Sequence, residues 1–267
     1  MGAVARTQLR ETPVKPNRTC VGLDVHARSV WACTVDDESG EMRTSRISPK
    51  TAEIVKWAKA LPGEVEVAYE AGPTGFGLAR ALIAAGVQCF VLAPSKMERP
   101  SGDRVKTDKR DCEWIARLVR LGELPAVVIP SEGQEAARDL VRAREDVRGD
   151  LMRARHRLSK LLLRQGIVYE DTAWTTAHGK WLRSQSFDKP GVQFAFDEAY
   201  DTVLTTLARR DRLDKAILTM AAEPAWAPVV ARLGCLRGVG TLTGFAWQWR
   251  SVTGTGSPAT PSARSWG

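Results

Sequence analysis

The sequence lacks the cysteine patterns that build disulfide frameworks or zinc sites. Its five cysteines are an odd number, no CxxC occurs, and the spacings match no zinc motif. This argues against a disulfide-stapled secreted domain and against a zinc finger. Reduced, mostly buried thiols in a cytoplasmic protein are the plain interpretation.

Long apolar runs are also missing. No stretch approaches the ~20 apolar residues that a bilayer-spanning helix needs. The first eighteen residues lack the apolar segment of a signal peptide. We therefore expect no membrane association, and we interpret residues 1–17 as a basic, disordered tail.

Acidic residues are fewer than basic ones. The chain of 267 residues has 39 Lys and Arg against 31 Asp and Glu, which gives a net charge of +8. An excess of positive charge favours a polyanionic partner, most simply nucleic acid, although many basic proteins bind none.

The sequence that follows the tail alternates between strand and helix patterns. Apolar, β-branched runs predict strands, and helical periods that end at glycine predict the helices between them. The order is three strands, helix, strand, helix, strand, and then a helix over 108–121. Because the later strands follow helical crossovers, residues 18–127 are predicted to form an α/β domain with a mixed sheet.

The composition changes after Pro130. About thirty residues without proline follow, with an apolar repeat of seven at Leu140, Val147, Ala154 and Leu161 and an offset seam that Arg144 interrupts. A heptad pattern predicts helix–helix pairing, within the chain or between chains. One long helix packed on its own domain remains an alternative. We assign residues 128–235 to this helical, coiled-coil region, in which we interpret residues 167–190 as an aromatic, polar connector.

Four acidic residues lie at predicted strand ends and at a predicted helix start, where α/β proteins often have their active sites. Asp24 ends the first predicted strand and Glu70 ends "VEVAYE", so their carboxylates share one edge if these strands are neighbours. Asp108 and Asp111 lie one turn apart on a helix face, about 5–6 Å from each other. Alternatively, Asp108 is an N-cap, Asp111 is an acid of the first turn, and Asp24 opens a turn.

Four carboxylates together suit Mg²⁺ or Mn²⁺ rather than zinc. Two such ions about 4 Å apart can bind the attacking and leaving oxygens of a phosphodiester. Cations near this helix start oppose the helix dipole, so a helix start alone does not explain them. They would contact nucleic-acid phosphates. The candidates are Arg99, Arg104, Lys106, Lys109 and Arg110.

Three segments resemble the insertion-sequence "one-ten" family of bacterial transposases. They are "VGLDVHARSVWACTVD", "VAYEAGPTGFGLARAL" and "DRVKTDKRDCEWIARLV". The resemblance implies a RuvC-like domain with the ribonuclease-H fold. It also implies a catalytic and metal-binding D-E-D-D set at Asp24, Glu70, Asp108 and Asp111, with Mg²⁺ or Mn²⁺ as the cofactor.

The same resemblance implies a DNA transposase or recombinase that excises and inserts its own element. Its partners would be DNA and a structured guide RNA of the element, and the long helix would form a homodimer. The expected location is the cytoplasm, in association with the nucleoid. The family also has a C-terminal transposase domain, whose serine attacks the DNA phosphate.

We assign residues 236–267 to a truncated start of the C-terminal transposase domain with an aberrant tail; the resemblance extends through "LRGVGTLTGFA" at 236–246. "LRGVGTL" is either a helix–turn–helix junction or a glycine-capped loop. After Phe245 we find no strand or helix period, and we expect a frameshift that leaves only the start of the C-terminal domain. We assign the nucleophile to none of the tail serines, and we expect the chain to be incomplete for transposition. Those serines are Ser251, Ser257, Ser262 and Ser265.

Two other functions remain open from the sequence. One is a non-catalytic remnant that binds DNA or RNA ends without cutting them. The other is a RuvC-like junction endonuclease, which would use the acids without a serine. A sugar-kinase or actin-like ATPase would need a second related domain with glycine-rich phosphate loops, and none is visible.

Overall fold

The computed structural model describes residues 17–97 and 107–252, with backbone only from residue 249 onward. The chain divides between Pro130 and Ser131 into two compact units. The domain limits inferred from the sequence remain a prediction. Within the described residues, no helix is long and apolar enough to cross a membrane.

The first unit is built from strands and helices close to the predicted positions. In the described part of this unit they are β1 (Arg18–Val25), β2 (Val30–Asp36), β3 (Met42–Ile47), α1 (Thr51–Lys59), β4 (Glu64–Glu70), α2 (Gly77–Ala84), β5 (Gln88–Leu92), α3 (Asp108–Leu121) and β6 (Ala126–Val127). Sequence reasoning did not predict β6, because two residues are too short to show a period.

The sheet is mixed, as predicted. Its strand order is β3-β2-β1-β4-β5-β6. β1 pairs antiparallel with β2 and parallel with β4, and β4 pairs parallel with β5. This α/β arrangement confirms the predicted fold class and is consistent with a ribonuclease-H-like fold. It also makes β1 and β4 neighbours, which was the condition for bringing Asp24 and Glu70 to one edge.

The two faces of the sheet are covered by different helices. Val21, Leu23, Val67 and Tyr69 face α1 and α2 in one apolar cluster. Alternate residues of the same strands, such as Cys20 and Ala68, pack with α3 in a second cluster. Four of the five cysteines are buried and only Cys235 is exposed, in agreement with the predicted buried thiols.

The described part of the second unit is helical. Its helices are α4 (Glu132–Arg164), α5 (Thr176–Arg183), α6 (Pro190–Ala221), α7 (Ala227–Gly234) and α8 (Thr241–Val252). A capping box starts α4, because the Ser131 hydroxyl accepts from the N–H of Gln134 and the Gln134 side chain accepts from the N–H of Ser131.

The heptad seam of α4 packs against α6 of the same chain. The C-terminal half of α4 meets the start of α6, where Leu158 contacts the cluster of Phe196 and Val203. The N-terminal half meets the end of α6, around Ile217. The two helices are therefore antiparallel, and the predicted helix–helix pairing occurs within the chain.

Two expectations for this unit were wrong. The segment 167–190 was predicted to be a connector, yet it contains α5. No helix was expected after Phe245, yet α8 continues to Val252. Residues 235–240 join α7 to α8, with Gly238 at a φ of +83° that favours glycine. The rest of the predicted aberrant tail lies outside the described residues.

Candidate metal centre

Two acids lie at the ends of neighbouring parallel strands. Leu23 of β1 is in register with Tyr69 of β4, and Asp24 and Glu70 are the next residue of each strand. Because side chains alternate along a strand, Asp24 shares a face with Gly22, and Glu70 shares a face with Ala68. That is the face of the sheet covered by α3.

The helix α3 lies directly on the backbone of β1. A Cβ atom added to Gly22 would be 2.1 Å from the carbonyl oxygen of Cys112 and 2.4 Å from the amide nitrogen of Ala116. Only a residue without a side chain permits this approach. Gly22 therefore fixes the distance between the end of β1 and the first turn of α3.

Asp108 and Asp111 occupy the first turn of α3. Thr107 is the N-cap, and its hydroxyl accepts from the N–H of Arg110 at 3.3 Å. The alternative in which Asp108 is the N-cap is therefore wrong. The Asp108 side chain is 53% exposed, whereas Asp111 is buried.

His26 joins this group, although sequence reasoning did not predict it. Its Nε2 atom is 3.1 Å from Oδ2 of Asp24 and 3.9 Å from Oδ1 of Asp108. Asp24, His26 and Asp108 each offer one ligand atom, and these three atoms lie within 4.8 Å of one another. Glu70 and Asp111 are not members of this three-residue group. The sequence signal was a histidine two residues after a strand-end aspartate.

The carboxylates of the centre act on one another electrostatically. The pKa of Asp24 is raised from its ordinary value, chiefly because burial disfavours its charged form. The contact with His26 opposes this shift, and the negative charges of Asp108 and Asp111 add to it. A cation between these groups would offset the free-energy cost of burying the charged Asp24 carboxylate. It would also reduce the repulsion between Asp24 and the other two carboxylates.

The spacing of the ligand atoms suits a divalent ion. An octahedral ion with bonds of about 2.1 Å holds neighbouring ligand atoms about 3 Å apart and opposite ones about 4.2 Å apart. The separations of 3.1 and 3.9 Å around His26 fall close to this range. The three atoms are therefore close enough together to serve as ligands of one dication.

Two of the predicted phosphate-binding cations are described. Lys109 and Arg110 lie on the exposed start of α3, next to the acids. Arg99, Arg104 and Lys106 lie outside the described residues. The same is true of Ser257, Ser262 and Ser265 and of the side chain of Ser251, so the structure does not bear on the nucleophile.

Comparison of the sequence with known proteins identifies the family of this chain. Residues 21–166, more than half of the chain, match the family model for the DEDD transposases of IS110 elements, described as "Transposase". The chain belongs to the IS110 family of DEDD transposases. The matched range includes both strand-end acids, His26 and the whole of α3, and it confirms the family inferred from the three sequence segments.

Two similar proteins are transposases by name. The "Transposase for insertion sequence element IS1533" of Leptospira borgpetersenii is 37% identical over 230 residues, covering 84% of this chain and 66% of that protein. The "Putative transposase y4qE" of Sinorhizobium fredii (strain NBRC 101917 / NGR234) is 37% identical over 227 residues, covering 82% and 54%. The chain thus spans less than two thirds of either relative's own length.

Proposed function

We propose that this chain is an enzyme of DNA transposition that carries the metal centre for phosphodiester cleavage. In this proposal Asp24, Glu70, Asp108 and Asp111 hold divalent metal, either Mg²⁺ or Mn²⁺. The observation that supports it best is the convergence of the two strand ends and the first turn of α3 on one face of the sheet. Asp24 and Asp108 are remote in the sequence, so a helix cap or a turn does not explain why both lie beside His26.

Each part of the centre has a distinct task. The carboxylates bind and position the metal through hard oxygen atoms. A bound divalent ion supplies Lewis-acid stabilisation of charge that develops on phosphate oxygens. Lys109 and Arg110 bind flanking DNA phosphates, because they are exposed beside the acids. Thr107 keeps the first turn of α3 in place through its cap bond.

The partners in this proposal are DNA and a structured guide RNA of the element. The net charge of +8 is compatible with both. We also propose a homodimer in the cytoplasm, associated with the nucleoid. The heptad seam of α4 is already packed against α6, so a dimer through the long helix would use another of its faces. The serine nucleophile remains unassigned.

The proposal is tested by DNA cleavage with the purified full chain, metal and DNA carrying element ends. We expect Asp24→Asn and Asp108→Asn to reduce metal-dependent cleavage below detection, since each removes one charge and one metal ligand. Asp139→Asn is the matched control. Asp139 is exposed on α4 and pairs only locally, at 3.4 Å from Arg142, so cleavage should be unchanged.

Other outcomes would support the alternative functions. Binding of DNA without any cleavage, unchanged by both substitutions, would contradict the enzyme and favour a non-catalytic binding remnant. Cleavage restricted to branched duplexes would favour a junction endonuclease.

A further inference from the structure

We infer that His26 is a nitrogen ligand of the metal in this centre, and that it shifts the metal preference from Mg²⁺ toward transition-metal dications such as Mn²⁺. The inference rests on the proposed function, because it needs a metal between Asp24 and Asp108. It adds a residue to the centre that lies outside the four acids of the D-E-D-D set.

The imidazole ring of His26 lies beside the two aspartates. Nε2 of His26 is hydrogen-bonded to Oδ2 of Asp24 at 3.1 Å and lies 3.9 Å from Oδ1 of Asp108, so it is near both carboxylates. The side chain is 54% exposed, so packing in the apolar core does not dictate this orientation. The ring faces the same space that an ion held by the two aspartates would occupy.

The backbone of the β1–β2 hairpin fixes the position of the Cα atom of His26. His26 follows the last residue of β1, and its N–H donates to the carbonyl of Ser29 at 3.0 Å. The adjacent pair Val25 and Val30 closes the ladder between β1 and β2. The hairpin therefore holds the backbones of His26 and Asp24 at a constant separation, so both side chains begin close to one ion site.

The donor atoms of this group are two carboxylate oxygens and one imidazole nitrogen. A neutral imidazole offers the lone pair of Nε2 to a metal when its proton resides on Nδ1. Carboxylates alone suit Mg²⁺, Ca²⁺ and Mn²⁺, whereas an imidazole nitrogen favours transition metals. Two aspartates with one histidine should therefore discriminate against Mg²⁺ more than aspartates alone.

The decisive experiment detects the nitrogen directly. The full chain is expressed without a histidine tag and with ¹⁵N-labelled histidine, and bound Mn²⁺ is examined by pulsed electron paramagnetic resonance. The chain has three histidines. We expect a ¹⁵N coupling in the wild type that disappears in His26→Asn. His156→Asn is the matched control and should retain the coupling, because His156 is exposed on α4 in the other unit.

Calorimetric titration gives an independent readout. In His26→Asn we expect the Mn²⁺ affinity to fall at least about tenfold, in line with the effect of losing groups around a metal site. The Mg²⁺ affinity should fall clearly less. Circular dichroism should show a folded protein, since the His26 side chain is half exposed.

The outcomes separate this inference from the proposed function. If Mn²⁺ binds without a ¹⁵N coupling and His26→Asn binds it as tightly as the wild type, His26 is only a hydrogen-bonding neighbour and the inference is overturned. The metal centre then stands if Asp24→Asn abolishes binding. If the wild type binds no Mn²⁺, or if Asp24→Asn binds it unchanged, both fail.

Discussion

At the scale of single residues, the geometry of the centre depends on the missing side chain of Gly22. The backbone of α3 occupies the space that a Cβ atom would need, with Cys112 O and Ala116 N as the nearest atoms. Backbone atoms cannot move aside as the end of a flexible side chain can. The helix and its two acids are thereby set against the end of β1.

We predict that Gly22→Ala destabilises the protein and weakens its metal binding. Overpacking of a core typically costs about 1–3 kcal/mol, and the contacts of 2.1 and 2.4 Å place this substitution at the upper end or beyond. Urea unfolding measures the loss of stability, and titration with Mn²⁺ measures the effect of displacing α3.

The matched control for this substitution is Gly77→Ala at the start of α2. A Cβ atom there would meet nothing within 4 Å, and alanine in a helix is favoured over glycine by about 0.5–1 kcal/mol. We expect this variant to be as stable as the wild type or slightly more stable. Equal stability of both alanine variants would contradict the role given to Gly22.

The four acids could be identified singly from the sequence, but their convergence could be predicted only on the condition that the strands of Asp24 and Glu70 are neighbours. Strand ends and helix starts are visible in local patterns, so Asp24, Glu70, Asp108 and Asp111 were identified as candidates. That condition is the pairing of β1 with β4, and the approach of α3 depends on Gly22; both are contacts between residues distant in the sequence. His26 was missed because its role depends on the hairpin geometry.

At the scale of elements, α5 is held by a cluster of aromatic rings around a buried histidine. His178 lies 5.0 Å from the ring of Trp174 and 5.4 Å from that of Trp181, measured between centroids. Its Nδ1 atom accepts from the backbone N–H of Trp174 at 3.1 Å. Trp174 has a φ of +68°, which is unusual for a large side chain. The neutral ring of His178 therefore stabilises a strained turn.

We predict that stability decreases as His178 becomes protonated. The pKa of His178 is lowered below 6.5, because burial disfavours the charged ring and Arg155 repels it. The unfolded chain then binds the proton more readily than the folded one. The contribution to stability should be complete above pH 6.5, and it should decrease as the pH falls from there to the lower folded-state pKa.

Urea unfolding at several pH values between 7.5 and about 5 measures this effect. His156→Gln should keep the slope of stability against pH, because His156 is exposed. His178→Gln should be less stable at neutral pH and should show a smaller slope. An unchanged slope in His178→Gln would contradict the prediction.

Helix pairing was only partly predictable at this scale. The heptad pattern predicted that α4 pairs with another helix, and that helix is α6 of the same chain. Arg144, which interrupts the heptads, forms an ion pair with Asp214 of α6 at 2.8 Å. The pattern within α4 could not reveal this, because Asp214 is distant in the sequence. The helix α5 was missed because it has only eight residues.

At the scale of the whole molecule, the excess of positive charge should govern non-specific DNA binding. Each phosphate contact contributes a slope of about −0.9 to the dependence of log affinity on log salt. We predict that Lys109→Ala makes this slope shallower by about one contact. Affinity for duplex DNA measured at several salt concentrations tests this.

Lys59→Ala is the matched control for the salt experiment. Lys59 is exposed at the end of α1, and α1 covers the face of the sheet opposite to α3. Its removal should lower the affinity slightly and leave the slope nearly unchanged. Equal effects of the two substitutions would mean that DNA binding is diffuse rather than centred on α3.

The antiparallel pair of α4 and α6 has a length that can be compared with that of duplex DNA. A helix of 33 residues, such as α4, extends for about 50 Å. This equals about fifteen base pairs of duplex DNA at 3.4 Å per pair. The aromatic cluster of α5 packs at one end of the pair, and α7 and α8 pack at the other. A single straight duplex that touched both ends would need roughly one and a half helical turns.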